Sequence, residues 1–337
     1  MRATLPGLLF AIALALAAKG LSYASGGQVS AILLAVVAGI LWRNLAGVGA
    51  WAESGITFAS RNLLRIGIAL IGLRLTFALL SDVSLEALQV VIACVVTAIV
   101  AALALGRLFG IAPGLRPLLA VGTAICGCTA IIAVAPVLKS RQQDIGIAIA
   151  CIVLFGSIAL VGYPWLAPIF LGDDPAAAGV FFGAAIQDTS QVVGASLIYA
   201  EQFDADDTVA IAGFTKFIRT FGLLLLIPAI AFWVARTEVK ADPAGAKGLL
   251  KSALPLFVVA FIVLVGVRTA GDAWWDGAAW RDLLAAAQLA SEMLLLCGMA
   301  AVGLGITFSH LREAGWRPLA VAFLAAAATG SVALALL

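Results

Sequence analysis

The residues of this chain best placed to do chemistry lie in two short polar stretches set in apolar sequence. The second in chain order, Gly183–Gln191, reads GAAIQDTSQ and ends in five consecutive polar side chains: Gln187, Asp188, Thr189, Ser190 and Gln191. Such a cluster is costly at membrane depth unless it faces water, a ligand or protein partners. Asp188 is its one acid, suited to take a coupling cation or a proton, or to pair with a nearby base. The first stretch, Gly122–Ala130, reads GTAICGCTA. Gly122 and Gly127 permit a non-helical turn or close packing. Thr123, Cys126, Cys128 and Thr129 supply small polar atoms.

The two stretches are copies of one pattern. Aligned without gaps, Gly122, Ala124 and Ile125 match Gly183, Ala185 and Ile186, and Thr129 faces Ser190. A helix broken at such a point aims free amides into a cavity, and that end attracts anions. The alternative is small-residue helix packing, with threonines bonding back to the preceding turn. Bases are available for an anion. Lys216 and Arg219 lie three residues apart on one helix face, within Thr215–Thr220. Arg74 lies inside an apolar span, as does Glu292, which is placed to pair. Arg65 is expected to snorkel to the membrane surface. Arginine can grip an oxyanion with two parallel bonds. Cys126 and Cys128 have no further metal ligand near them, and the single histidine, His310, stands at a helix end, so no metal centre is expected.

The elements that must position these residues are membrane helices. The chain has 337 residues, is 64% hydrophobic and only 11% charged. A soluble domain carries roughly 25% charged residues. One polytopic, all-α transmembrane domain over 1–337 is expected. The net charge of +2, with no basic stripe, gives no sign of a nucleic-acid partner. The five cysteines all lie in apolar segments, which argues against a disulfide framework. Apolar runs mark segments at 5–23, 28–43, 61–80, 86–108, 115–138, 143–170, 177–200, 207–235, 249–270, 283–308 and 314–336. The first is read as a membrane helix rather than a cleaved signal peptide. Trp274, Trp275 and Trp280 form an interfacial aromatic cluster in a short outer loop.

Loop charges suggest an orientation. The largest loop, Arg236–Lys251, holds Arg236, Lys240, Lys247 and Lys251 and is expected on the cytoplasmic side. Eleven crossing helices, two of them broken, put Lys139 and Arg141 outside and Asp173 and Asp174 inside. Nine spans plus two re-entrant hairpins, entering from opposite faces, reverse both placements. Opposite entry is what an inverted repeat requires. Both schemes place the N-terminus in the cytoplasm and the C-terminus outside. A second echo supports duplication: Gly67–Phe77 and Gly298–Phe308 agree at six of eleven positions. The repeat-related halves run roughly over 28–170 and 176–337. The echo at Gly67 precedes the first polar stretch and that at Gly298 follows the second, an order that a simple tandem repeat would not give.

At this point the chain resembles a known family. Ala120–Lys139 (AVGTAICGCTAIIAVAPVLK), Gly183–Gln191 and Thr215–Thr220 look like the YeiH-like bacterial inner-membrane proteins, a family labelled sulfate exporters. The resemblance spans nearly the whole chain. It implies a secondary transporter in the bacterial inner membrane, distantly similar to the bile acid/sodium symporter group, with a panel and a core of broken crossing helices. Family members often carry His-Asp-Thr in the second stretch. Here Gln187 stands in the histidine position, which speaks against carrying over a proton-relay role there.

The expected function is therefore non-enzymatic: alternating-access transport of a small anion such as sulfate or a sulfonate, coupled to Na⁺ or H⁺ at Asp188, with no other cofactor. Gly122, Thr123, Cys126, Gly127, Cys128, Thr129, Gln187, Thr189, Ser190, Gln191, Lys216, Arg219 and Arg74 are the candidate substrate-binding residues. The bilayer is the other expected partner, and the sequence leaves a homo-oligomer open. An anion channel would lack counterflow. An intramembrane enzyme built on Cys126, Cys128 or Asp188 would lack a paired histidine or zinc motif.

Overall fold

A computed structural model describes residues 4–24, 30–74, 76–135, 138, 140–220, 256–275, 277–307 and 315–337. Among them there are helices and no strands. In chain order they are α1 (Leu5–Ala24), α2 (Ala31–Leu45), α3 (Ala50–Arg74), α4 (Phe77–Leu108), α5 (Leu115–Ala124), α6 (Cys128–Val134), α7 (Gln142–Leu171), α8 (Pro175–Ala185), α9 (Thr189–Phe203), α10 (207–220), α11 (Leu256–Trp274), α12 (Ala278–Gly305) and α13 (Trp316–Leu336). The predicted loop Arg236–Lys251, Lys139, His310 and the rest of the segments predicted at 207–235 and 249–270 lie outside the described residues.

Six described helices are long and apolar enough to cross a membrane: α1, α3, the 87–108 part of α4, α7, α12 and α13. Several predicted boundaries move. The segment expected at 61–80 begins at Ala50 and ends at Arg74; at its start, helix runs through Glu53, which lowers hydropathy without breaking the backbone. A π-helical turn at Ala59–Leu63 and a 3₁₀ turn at Gly72–Arg74 adjust its course. The segment expected at 86–108 starts at Phe77.

The helices form two compact units, each drawing on both sequence halves. The first comprises Met1–Val83, Val193–Ala210 and Leu256–Phe308. Its packing depends on small residues, as expected where van der Waals contact rather than water expulsion joins helices. A Cβ on Gly303 of α12 would sit 2.3 Å from the Val36 carbonyl oxygen of α2. The two echoed stretches meet reciprocally in this unit. A Cβ on Gly67 would touch Leu295, and one on Gly298 would touch Leu64, each at 2.8 Å. Leu64 and Leu295 stand three residues before their own glycines, so the contact is the same when the two stretches are exchanged. Ser291 adds a hydrogen bond to the Gly67 carbonyl at 2.9 Å.

The second unit comprises Ser84–Val192, Ile211–Pro255 and Ser309–Leu337. Its core holds two helices too short to span the bilayer. At about 1.5 Å per residue, α5 and α8 each reach about 15 Å, half of an apolar core of about 30 Å. Asp174 caps α8, accepting from the Ala176 and Ala177 amides at 2.9 and 3.1 Å, and Pro175 opens its first turn.

Gly303→Val should lower the thermal stability of the purified protein, at a cost of about 1–3 kcal/mol for forcing α2 and α12 apart. Gly277→Ala, whose Cβ would meet nothing within 4 Å, should leave the unfolding midpoint unchanged.

Candidate functional site: two broken helices held by buried cations

Both polar stretches break a helix, and they break at equivalent points. The first stops at Ala124 and restarts at Cys128; the second stops at Ala185 and restarts at Thr189. Gly127 makes the first break passable. Its φ of 64° and ψ of −126° lie where an L side chain is strained. Beyond it the chain doubles back. A Cβ on Gly122 would lie 2.8 Å from the Ile131 Cδ1, although residues nine apart in a straight helix are separated by about 13 Å along the axis. Val121 and Val134 share one apolar cluster with Ala124 and Ala130, as the legs of a hairpin would. These contacts fold Cys128–Val134 back against the end of α5.

A helix end leaves carbonyl oxygens without an intrahelical partner. Here two such ends are buried in one unit, each carrying roughly half a negative charge. Lys216 and Arg219, both on α10 and both fully buried, satisfy them. The Lys216 ammonium donates to the carbonyls of Ile125 (2.9 Å), Ile186 (2.8 Å) and Gln187. The Arg219 guanidinium donates to the carbonyls of Ala124 (2.7 Å), Ala184 (2.6 Å), Ile186 (2.9 Å) and Thr123. Four of the bonds follow the register of the doubled stretch. Ile125 and Ile186 are equivalent positions and share Lys216; Thr123 and Ala184 are equivalent positions and share Arg219. Gly183 lets α10 come this close: a Cβ there would lie 2.6 Å from the Ala212 carbonyl oxygen and from the Thr215 Cβ.

This changes the expected role of the two bases. An ammonium has three hydrogens, and all three of Lys216 go to carbonyls. Arg219 spends four of about five N–H donors on backbone. In this structure they hold the breaks rather than offer hydrogens to an anion, while their charge remains.

The remaining candidates sort by burial. Gly122, Thr123, Cys126, Gly127, Gln187 and Gln191 are buried. Thr123 bonds back to the Leu119 carbonyl at 2.8 Å. Gln191 is pinned to α7, donating to the Val153 carbonyl at 3.0 Å and to the Ser157 hydroxyl at 3.2 Å, with its Oε1 in the notch left by Gly156. Oε1 of Gln187 and of Gln191 and the Thr215 hydroxyl are buried without a hydrogen-bond partner. Cys128, Asp188, Thr189 and Ser190 are part-exposed and Thr129 is exposed. Asp188 accepts from its neighbour Ser190, from the amide at 2.9 Å and from the hydroxyl. A Cβ on Gly127 would lie 3.1 Å from Asp188 Oδ2, so the two breaks adjoin. Arg74 belongs to the first unit and pairs there with Glu292 at 2.8 Å; the other candidates belong to the second. Ser157 and Gly156 went unpredicted; their signal was a lone polar residue beside a glycine in the apolar run of α7.

Comparison with known proteins decides the family. A model described as conserved hypothetical protein 698 matches residues 6–322. The chain belongs to this family. It is 32% identical over 331 residues to a UPF0324 membrane protein of Pseudomonas aeruginosa, covering 95% of this chain and 90% of the relative. It is 35% identical over 332 residues to a UPF0324 membrane protein of Rhizobium meliloti, covering 95% and 89%. The UPF0324 inner membrane protein YeiH of Salmonella typhi is 31% identical over 302 residues, covering 88% and 82%. The expected kinship with YeiH-like proteins is thus met, and these names give a membrane location without a substrate. No solved structure matches the chain.

Two substitutions test the geometry. Gly127→Ala should cost about 1–2 kcal/mol for its left-handed φ, read as a lower unfolding midpoint. Arg219→Ala should cost more, because each buried carbonyl it abandons loses about 1–3 kcal/mol. Arg219→Lys, which keeps the charge but not the fork, should fall between wild type and Arg219→Ala.

Proposed function

We propose that this protein is a secondary active transporter of the bacterial inner membrane. It moves a small anion, sulfate or a sulfonate, by alternating access and couples that movement to Na⁺ or H⁺. The observation that carries the reading is the pair of adjoining helix breaks held by two buried cations. Broken helices at membrane depth are tolerated where they line a cavity, and in transporters they frame the substrate site. Lys216 and Arg219 against the single carboxylate of Asp188 leave one formal positive charge, which favours an anion in a low-dielectric setting. In this reading the part-exposed Cys128, Thr189 and Ser190, with the exposed Thr129, face the substrate. Asp188 takes the coupling ion, and the buried residues hold the frame. The reciprocal packing of Leu64–Gly67 with Leu295–Gly298, and the repeat-matched partners of Lys216 and Arg219, support two inverted repeats, a fold like that of the bile acid/sodium symporter group. The loop charges favour a cytoplasmic N-terminus and a periplasmic C-terminus.

Purified protein in liposomes should show saturable sulfate or sulfonate flux with counterflow, driven by an ion gradient. Thr129→Val and Asp188→Asn should each lower that flux about tenfold or more, the equivalent of one hydrogen bond to a charged ligand. Undiminished flux in both variants would overturn the site, and conduction without saturation or counterflow would indicate a channel.

A further inference from the structure

Transporters built on broken helices commonly hold a coupling cation with the carbonyls of unwound backbone and half-helix C-terminal ends. In this chain such carbonyls are occupied. The Lys216 nitrogen has the Ile125 and Ile186 oxygens at 2.9 and 2.8 Å and also bonds the Gln187 oxygen. These oxygens come from both breaks, and two of them are equivalent positions of the repeat. A lysine ammonium is a compact point charge, close in kind to a bound monovalent ion but carried on its own chain. Arg219 engages the neighbouring carbonyls of Thr123, Ala124 and Ala184 and shares that of Ile186 with Lys216. A free alkali ion would therefore find its oxygen ligands taken and two like charges beside it.

We propose that the Lys216 ammonium is a tethered replacement for a coupling cation, so that the breaks take no sodium or potassium. The proposal rests on the transporter reading and narrows its coupling: the proton, at Asp188, remains as the ion available. It also assigns a latent site. Shortening Lys216 leaves a carbonyl cage from both half-helix ends, of a size and charge suited to a small monovalent cation. A cage of this kind should accept Na⁺, K⁺ or methylammonium and reject the bulkier choline.

The test reads stability rather than flux, so its failure is distinguishable from a failure of the transport reading. Wild-type protein is unfolded thermally in sodium, potassium and choline chloride at equal ionic strength. The three curves should coincide; a saturable, sodium- or potassium-specific rise in midpoint would overturn the proposal, and this arm needs no variant. Lys216→Ala is then titrated in a choline background with NaCl, KCl and methylammonium chloride. Its midpoint should start below wild type and rise saturably by several degrees with at least one of the three, as for any ligand that binds only the folded state. A folded Lys216→Ala protein whose midpoint follows all salts as it follows choline would also overturn it.

Discussion

The constraint on which the second unit depends is the need of two buried helix ends for hydrogen-bond donors. A half-helix that stops inside a membrane protein exposes carbonyls which neither lipid nor water can satisfy. Two such ends facing one region also repel each other through their partial negative charges. Lys216 and Arg219 meet both difficulties with seven hydrogen bonds to the two stretches. The cost of burying two cations is offset only because nearly every donor is used. The breaks and the bases therefore stand or fall together.

Other features of the unit follow from this arrangement. Gly183 has no side chain because α10 must press against α8 for the two bases to reach the breaks. Gly127 is needed because the first break turns back on itself with a φ of 64°. Gln191, just past the second break, is fastened to α7 through Val153 and Ser157. What this leaves accessible is a short polar face, Cys128, Thr129 and Asp188 to Ser190, in the field of the cations. The first unit uses the same economy of small residues for a different end. Its glycines bring backbones into contact, and Leu64–Gly67 and Leu295–Gly298 pack against each other reciprocally.

Much of this was legible in the sequence. The doubled stretch stood out because polar residues and glycines are conspicuous among apolar neighbours, and its two helix breaks fall at equivalent points of the ungapped register. Each of the eleven apolar segments contains helix where residues are described. The role of Lys216 and Arg219 was not legible, because their partners are main-chain carbonyls, and carbonyls leave no mark on side-chain identity. From side-chain identity alone, the two bases point to direct contact with an anion. That the chain folds back at the first break was also closed to sequence. It turns on whether Ile131 meets Gly122, a contact that no local pattern encodes. Helix bounds at Ala50 and Phe77 were missed because charged residues lower hydropathy without ending a helix.

Amide hydrogen exchange followed by mass spectrometry, comparing wild type with Arg219→Lys, tests the shared clamp most directly. If the bases hold both breaks, peptides covering residues 120–130 and 183–192 should lose protection together, while α2 and α12 in the first unit keep theirs. Loss at one break alone, or an equal loss along the whole chain, would contradict it.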